Sequence, residues 1–359
     1  MIARGVVVRA PGAAAVVEEI VVDPPGPGEV RVRIVATGVC HTDLSAKQGK
    51  FAGEFPYLLG HEATAVVEEV GAGVARPAPG DTVVLAWRAP CGTCRPCAAG
   101  RATHCQTPLC AAPRLRTRDG VVLGRVLGLG TFATHTVVAA AQAIPVAADL
   151  AASATCLIGC AGVTGVGAAL HVAEVPPGST VAVFGCGAVG ICVIQGARLA
   201  HAARVIAVDR VARKLEWARR LGATDAVDAG AGDPVKRIRE LTGGAGVDVA
   251  FEAVGDPEVL AQALGSCGFA GTTVIIGLPA PGTMASFSLV KFFYSRGRLL
   301  TTFYGDCLPS RDIPLLAEMY RRGELPLDEL VTGRARLEDV EAAFAALERG
   351  EALRTVLEP

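Results

Sequence analysis

The chain has 359 residues, 51% of them hydrophobic, and its 34 basic and 35 acidic side chains leave a net charge of −1. That length is enough for two domains, each with its own core. Charges of both signs are interspersed and leave no electrostatic footprint for nucleic acid or an anionic membrane, so a small-molecule partner is expected.

The N-terminal run MIARGVVVRAPG lacks the apolar core of a secretory signal. The twelve cysteines are therefore read as thiols in a reducing cytoplasm, not as a disulfide framework. Residues up to about 145 read as strands and turns. Apolar and charged side chains alternate in VRVRIV (30–35) after the turn-rich DPPGPG, and apolar runs follow at 63–70 and 81–86. A β-rich domain is expected here.

Inside this part, Cys91, Cys94, Cys97 and Cys105 follow the spacing C-x2-C-x2-C-x7-C. Four thiolates this close surround one tetrahedral Zn²⁺ and close its coordination shell, which makes a structural clip and not a reaction centre. The flanking Pro90, Gly92, Pro96 and Gly100 fit a loop pinned by metal. A bacterial ferredoxin begins with the same C-x2-C-x2-C, but its fourth cysteine comes after three residues and precedes proline; here the gap is seven and Gln106 follows. Four unliganded thiols are the remaining alternative.

Residues 150–173 contain no Asp, Glu, Lys or Arg, and that length could span a bilayer. Four glycines (159, 162, 165, 167) among Ala, Ser and Thr, without a basic flank, favour two helical pieces packed closely inside the protein. After Pro176-Pro177-Gly178 the pattern becomes short apolar strands alternating with helices. VAVF, the helix 189–199, VIAV, the helix 213–221, VDVAF, the helix 257–264 and TVIIG predict βαβ units and a parallel sheet. Helices over 313–321 and 337–349 follow, and 353–357 reads as a strand able to rejoin the first domain.

Gly185-Cys186-Gly187-Ala188-Val189-Gly190 joins the strand VAVF to a helix, the context a dinucleotide fingerprint requires. Gly185 would allow the tight turn, Gly187 the approach of the pyrophosphate and Gly190 the packing of helix on strand. Asp209 ends the next strand, where a carboxylate accepts ribose hydroxyls and repels a 2′-phosphate, favouring NAD over NADP. Lys214 either reaches the ribose or is a solvated first-turn lysine. A second metal constellation is scattered: Cys40 in CHTD, His61 in GHE and Cys160 in LIGC supply two thiolates and an imidazole, a set that leaves a fourth position open. Spacing alone does not separate this from buried structural residues.

GVCHTDL, GHEATAVVEEVG, the four-cysteine lobe, LIGCAGVTGVGAA and GCGAVG occur in the order found in zinc-containing medium-chain alcohol dehydrogenases, and the resemblance covers essentially the whole chain. It implies an α/β protein with a GroES-like β-rich catalytic domain (1–160 and 300–359) and a Rossmann NAD-binding domain, a doubly wound parallel sheet (161–299), with the active site in the cleft between them. It also implies a catalytic zinc on Cys40, His61 and Cys160, with Glu62 and Asp43 beside it, and a structural zinc on the four-cysteine lobe. Thr42 would take the alcohol proton. Ser45 stands near the place where many members have a relay histidine, so the terminal base is unassigned. His41 and Arg354 would face the pyrophosphate, and dimers or larger homo-oligomers would form through a sheet edge near 272–276 and 298–302.

GDTVVLAWRAPCGTCRPC and SLVKFFYSRGRLLTTFYGDCLPSRD look like mycothiol-dependent formaldehyde dehydrogenases, also described as S-nitrosomycothiol reductases. The substrate would then be a hydroxymethyl thiol adduct. The region 106–130, with Arg114, Arg116 and Arg118, does not match that subfamily and is read foremost as a solvated basic loop. An aryl or allylic alcohol dehydrogenase is the near alternative. A non-catalytic zinc-stabilised binding protein and an iron-sulfur carrier are the alternatives of other classes.

Overall fold

The alternation in residues 30–35 is what organises the first half of the protein. In the computed structural model, which describes residues 1–50 and 54–359, it becomes the long strand Glu29–Gly38. Val30, Val32, Ile34 and Ala36 are buried on one face, whereas Arg31 and Arg33 turn outward to Glu69 and Glu68 of the neighbouring strand. Glu29–Gly38 pairs antiparallel with Ala63–Val70, His135–Ala139 and the C-terminal strand Arg354–Leu357. Register with that last strand sets Gly38 opposite Val356 and Thr37 opposite Leu357, so the end of the chain lies beside the segment leading into Cys40. A five-stranded sheet, with Val16–Val22 and Ile2–Val8 at its centre, completes this unit.

The second half forms a six-stranded sheet, parallel throughout, in the order Asp225–Asp228, Arg204–Asp209, Thr180–Phe184, Val247–Glu252, Cys267–Ile275, Arg298–Thr301. Strand order reverses between Thr180–Phe184 and Val247–Glu252, and a crevice opens at the carboxyl ends of strands at such a switch point. The expected helices form at Ala188–Leu199, Ala212–Arg220 and Pro257–Ser266. Elements beyond those expected also form, among them the helix Leu289–Ser295. Asp225–Asp228 is a short strand, and Pro234–Leu241 is a helix opened by proline and by Asp233, whose carboxylate accepts from the Val235 and Lys236 amides.

The chain divides into two compact units, Met1–Cys160 with Leu308–Pro359, and Ala161–Cys307. The second junction falls after Cys307 and not at 299/300, because Arg298–Thr301 is the outermost strand of the parallel sheet and the Cys307 thiol donates to the carbonyl of Val163.

The charge-free stretch breaks into Ala152–Thr155, Cys156–Gly159, Ala161–Gly167 and a π-helical turn Ala168–Val172. Among the described residues no single helix is long and apolar enough to cross a membrane. Gly165 explains the glycine content: a Cβ there would lie 2.4 Å from Cys192 Cβ and 2.5 Å from the Val189 carbonyl, so the helix Ala161–Gly167 packs directly on the backbone of Ala188–Leu199. Gly165→Val should therefore lower stability by about 1–3 kcal/mol. The check is chemical denaturation followed by the fluorescence of Trp217 in a Trp87→Phe background, with an earlier midpoint expected.

Candidate active site

Cys40 follows the strand Glu29–Gly38 and caps the helix His41–Lys47, His61 precedes the strand Ala63–Val70, and Cys160 sits where two helical pieces meet. The fold gathers these distant residues. The Cys40 and Cys160 sulfurs and a ring nitrogen of His61 all lie within 4.8 Å of one another, with Cys160 Sγ 3.4 Å from His61 Nε2. His61 is fully buried, and Cys40 and Cys160 are 9% and 7% exposed.

Asp43 is the anchor of the cluster. One carboxylate oxygen lies 3.0 Å from His61 Nδ1 and accepts from the Gly60 amide; the other accepts from the Cys40 amide at 3.2 Å. With Nδ1–H donated to Asp43, Nε2 is left as the free donor atom facing the thiols. Gly60 is obligatory, since at φ +92° a Cβ would come within 2.3 Å of the Phe132 amide nitrogen.

The electrostatics of this triad suit a cation. A hydrogen bond from Cys160 holds the Cys40 thiol well below the ordinary thiol range, against burial, while the same bond and burial push Cys160 well above it. Burial opposes charge on His61, but Asp43 raises it well above the usual imidazole value. Two thiols and one imidazole are a Cys2His donor set, which fits tetrahedral Zn²⁺ with one position open.

Glu62, expected beside the metal, is not one of the three clustered donors. Its carboxylate lies 3.2 Å from Arg354 Nε, and the Arg354 guanidinium also donates to the Val39 carbonyl at 2.8 Å. Arg354 is itself 2% exposed. Its charge is held by Glu62, Cys40 and Cys160 against the opposing effect of burial. His41 is exposed at the first position of its helix, and Thr42 and Ser45 lie three residues apart on one helical face.

In the lobe, the sulfurs of Cys91, Cys94, Cys97 and Cys105 lie within 4.8 Å of one another. The Thr93 and Cys94 amides point at Cys91 Sγ from 3.4 and 3.3 Å, and the Thr107 hydroxyl donates to it at 3.3 Å. Led by Thr107, these donors draw Cys91 down to about 5, whereas burial and its thiol neighbours push Cys97 up to about 12. Four convergent sulfurs with amide donors fit one closed tetrahedral ion. Thr107 does not stand out in the sequence, because a threonine two residues beyond the last cysteine carries no signal of its own.

The glycine-rich turn is tight at both ends. Gly185 takes φ +91°, and a Cβ on Gly190 would meet the Gly185 carbonyl at 1.8 Å. A Cβ on Gly187 would meet nothing within 4 Å, which leaves open space where a phosphate would approach. Asp209 closes the turn by accepting from the Cys186 amide at 2.8 Å and the Val211 amide at 2.9 Å. An ionised carboxylate retains further lone pairs for ribose hydroxyls. Lys214 is half-buried in the first turn of the following helix. Arg114, Arg116 and Arg118 face Glu29, Asp23 and Glu19 respectively, so the basic loop is matched by acids.

Residues 26–148 match the model of the alcohol dehydrogenase GroES-like domain, and residues 188–321 match that of the zinc-binding dehydrogenase domain. An S-(hydroxymethyl)glutathione dehydrogenase of Escherichia coli O1:K1 is 37% identical, covering 99% of this chain and all of that protein. The crystal structure of an alcohol dehydrogenase zinc-binding domain protein from Burkholderia ambifaria is 36% identical with a TM-score of 0.94, covering 100% of this chain and 99% of that one. Benzyl alcohol dehydrogenase from Acinetobacter calcoaceticus is 30% identical with a TM-score of 0.93 over 100% of this chain and 99% of that one. With its GroES-like unit, its Rossmann-like parallel sheet and full-length relatives at this identity, the chain belongs to the zinc-dependent medium-chain alcohol dehydrogenase family.

Proposed function

We propose that the protein transfers hydride between an alcohol, or the hydroxymethyl adduct of a thiol, and NAD, using one zinc on Cys40, His61 and Cys160 and a second, structural zinc on Cys91, Cys94, Cys97 and Cys105. The observation that carries this reading is the buried two-thiol, one-imidazole cluster whose ring is fixed by Asp43. Zinc there supplies Lewis acidity that lowers the pKa of an alcohol and polarises a carbonyl, and the dinucleotide supplies the hydride acceptor.

The chain's own residues do the remaining work. Asp43 keeps Nε2 of His61 available, and Arg354 with Glu62 places a compensated positive charge near the two sulfurs. Thr42 takes up the hydroxyl proton as its own passes on toward the cofactor ribose, and the terminal base of that relay is unassigned. Gly187 admits the pyrophosphate, while Asp209 binds the adenosine ribose and repels a 2′-phosphate. All twelve cysteines are free of disulfides, which suits a reducing cytoplasm.

Two substrate readings have support. The relative named for S-(hydroxymethyl)glutathione favours a thiol adduct, with mycothiol the narrower form of that reading. The likeness to benzyl alcohol dehydrogenase, together with arginines already paired to acids, favours an aryl alcohol. Turnover of benzyl and cinnamyl alcohols against formaldehyde with mycothiol or glutathione decides between them.

For assembly, Phe269, Leu289, Phe293 and Tyr294 are 72–75% exposed, and Arg298–Thr301 is an edge strand. An apolar surface next to an unpaired edge fits a second copy of this chain.

Metal analysis should find two zinc ions per chain, and Asp43→Asn should weaken the site on His61 by about 10–100-fold. Asp209→Ser should lower kcat/KM for NAD by about 10–100-fold, the scale of losing hydrogen bonds to a charged group, while improving the use of NADP. By light scattering the protein should be a dimer or larger, and Phe293→Asp should shift it toward monomer.

A further inference from the structure

Glu252 is a buried carboxylate that the proposed chemistry does not use. It is 1% exposed at the carboxyl end of the strand Val247–Glu252, and among the described residues no cationic side chain pairs with it. Burial pushes its carboxyl above the usual range, and backbone amides oppose that shift. Such a group is retained only where its hydrogen bonds hold something in place.

What it holds is a turn. One carboxylate oxygen accepts from the amides of both Val254 and Gly255 at 2.7 Å, and the Glu252 carbonyl accepts from Ile276 at 2.8 Å and Gly277 at 3.0 Å. The turn 253–255 is thereby wedged between two backbones. On one side a Cβ on Gly185 would strike Val254 Cγ2 at 2.6 Å. On the other a Cβ on Gly277 would lie 2.0 Å from the Gly255 nitrogen, and one on Gly255 2.6 Å from the Leu278 carbonyl.

Its position in the sheet gives this arrangement a purpose. Glu252 pairs with Phe184, the residue that leads into the glycine-rich turn, across the two strands where the strand order reverses. The crevice at that switch point has two walls: the Gly185–Gly190 turn and the turn held by Glu252. Val254 is 51% exposed there, an apolar side chain left uncovered beside the phosphate-binding turn.

We infer that Glu252 is a positioning residue for the dinucleotide: by accepting the Val254 and Gly255 amides it fixes the wall of the crevice that belongs to the second, nicotinamide-binding half of the sheet. The inference rests on the dinucleotide reading above. The first half, carrying Gly185–Gly190 and Asp209, takes the adenosine monophosphate portion, so loss of Glu252 acts on the whole dinucleotide and spares the adenosine fragment.

The test is calorimetric binding of NAD and of AMP to zinc-loaded protein and its Glu252 variants, with circular dichroism and zinc content as controls. Glu252→Ala should weaken NAD by about tenfold or more, the scale of stranding buried amide donors, and leave AMP within about twofold. Glu252→Gln keeps an acceptor oxygen in place and should bind NAD within about threefold of the unmodified protein. If Glu252→Ala does not fold, Glu252→Asp, which draws the acceptor back by one methylene, carries the same test. Parallel loss of NAD and AMP, or NAD binding unchanged in the folded variant, overturns the inference. Unmodified protein that binds neither ligand overturns the dinucleotide reading itself.

Discussion

A carboxylate with no exposed surface must have its charge answered on every side, and Asp43 meets that demand by accepting from the Cys40 amide, the Gly60 amide and the His61 ring. Those three donors come from the segments that deliver two of the three buried metal-type donors. The ion therefore does not have to assemble its site from a loose loop. Orientation of the imidazole, the bend of the chain at Gly60 and the start of the helix His41–Lys47 all follow from one charge seeking hydrogen bonds. Glu62 and Arg354 form a second buried pair alongside, and the strand pairing that sets Val356 opposite Gly38 is what brings Arg354 there.

The two thiol clusters solve different problems with the same side chain. In the buried cluster, a hydrogen bond between two sulfurs holds Cys40 below and Cys160 above the ordinary thiol range beside an imidazole, and three such donors would leave a fourth position of a tetrahedral ion open, the requirement for chemistry. In the lobe, four sulfurs converge on one point and amide and hydroxyl donors already stabilise a thiolate on Cys91, which is the requirement for a closed, structural ion. The parallel sheet separates its tasks in a similar way. Where its strand order reverses, one turn is built from glycines and its neighbour is pinned by a carboxylate.

Features set by local spacing are legible in the amino-acid sequence. The convergence of the four-cysteine lobe and the tight turn Gly185–Gly190, which Asp209 closes, rest on short-range geometry that spacing specifies. The alternation at 30–35 likewise specifies a strand and its buried face. Features that depend on distant partners are not legible in the same way. The resemblance places Glu62 beside the metal, and its carboxylate pairs with an arginine from the last strand of the chain, a partner that no local pattern reveals. A boundary at 299/300 cuts through the outermost strand Arg298–Thr301 for the same reason, since only the pairing with Cys267–Ile275 shows where that strand belongs. Asp225–Asp228 gives no strand signal because two aspartates in four residues mask its apolar character. Glu252 carries no motif at all, and its meaning comes from the amides it holds.

The central claim is that two chemically different zinc sites coexist, an open one on Cys40, His61 and Cys160 and a closed one on four cysteines. Zinc K-edge X-ray absorption of the metal-loaded protein and of a Cys160→Ser variant tests it most directly. The account predicts mixed sulfur and imidazole coordination in the unmodified protein and, after the substitution, loss of the imidazole contribution with the all-sulfur environment retained. An all-sulfur spectrum in the unmodified protein, or an imidazole contribution that survives at full occupancy when Cys160 is replaced, would contradict it.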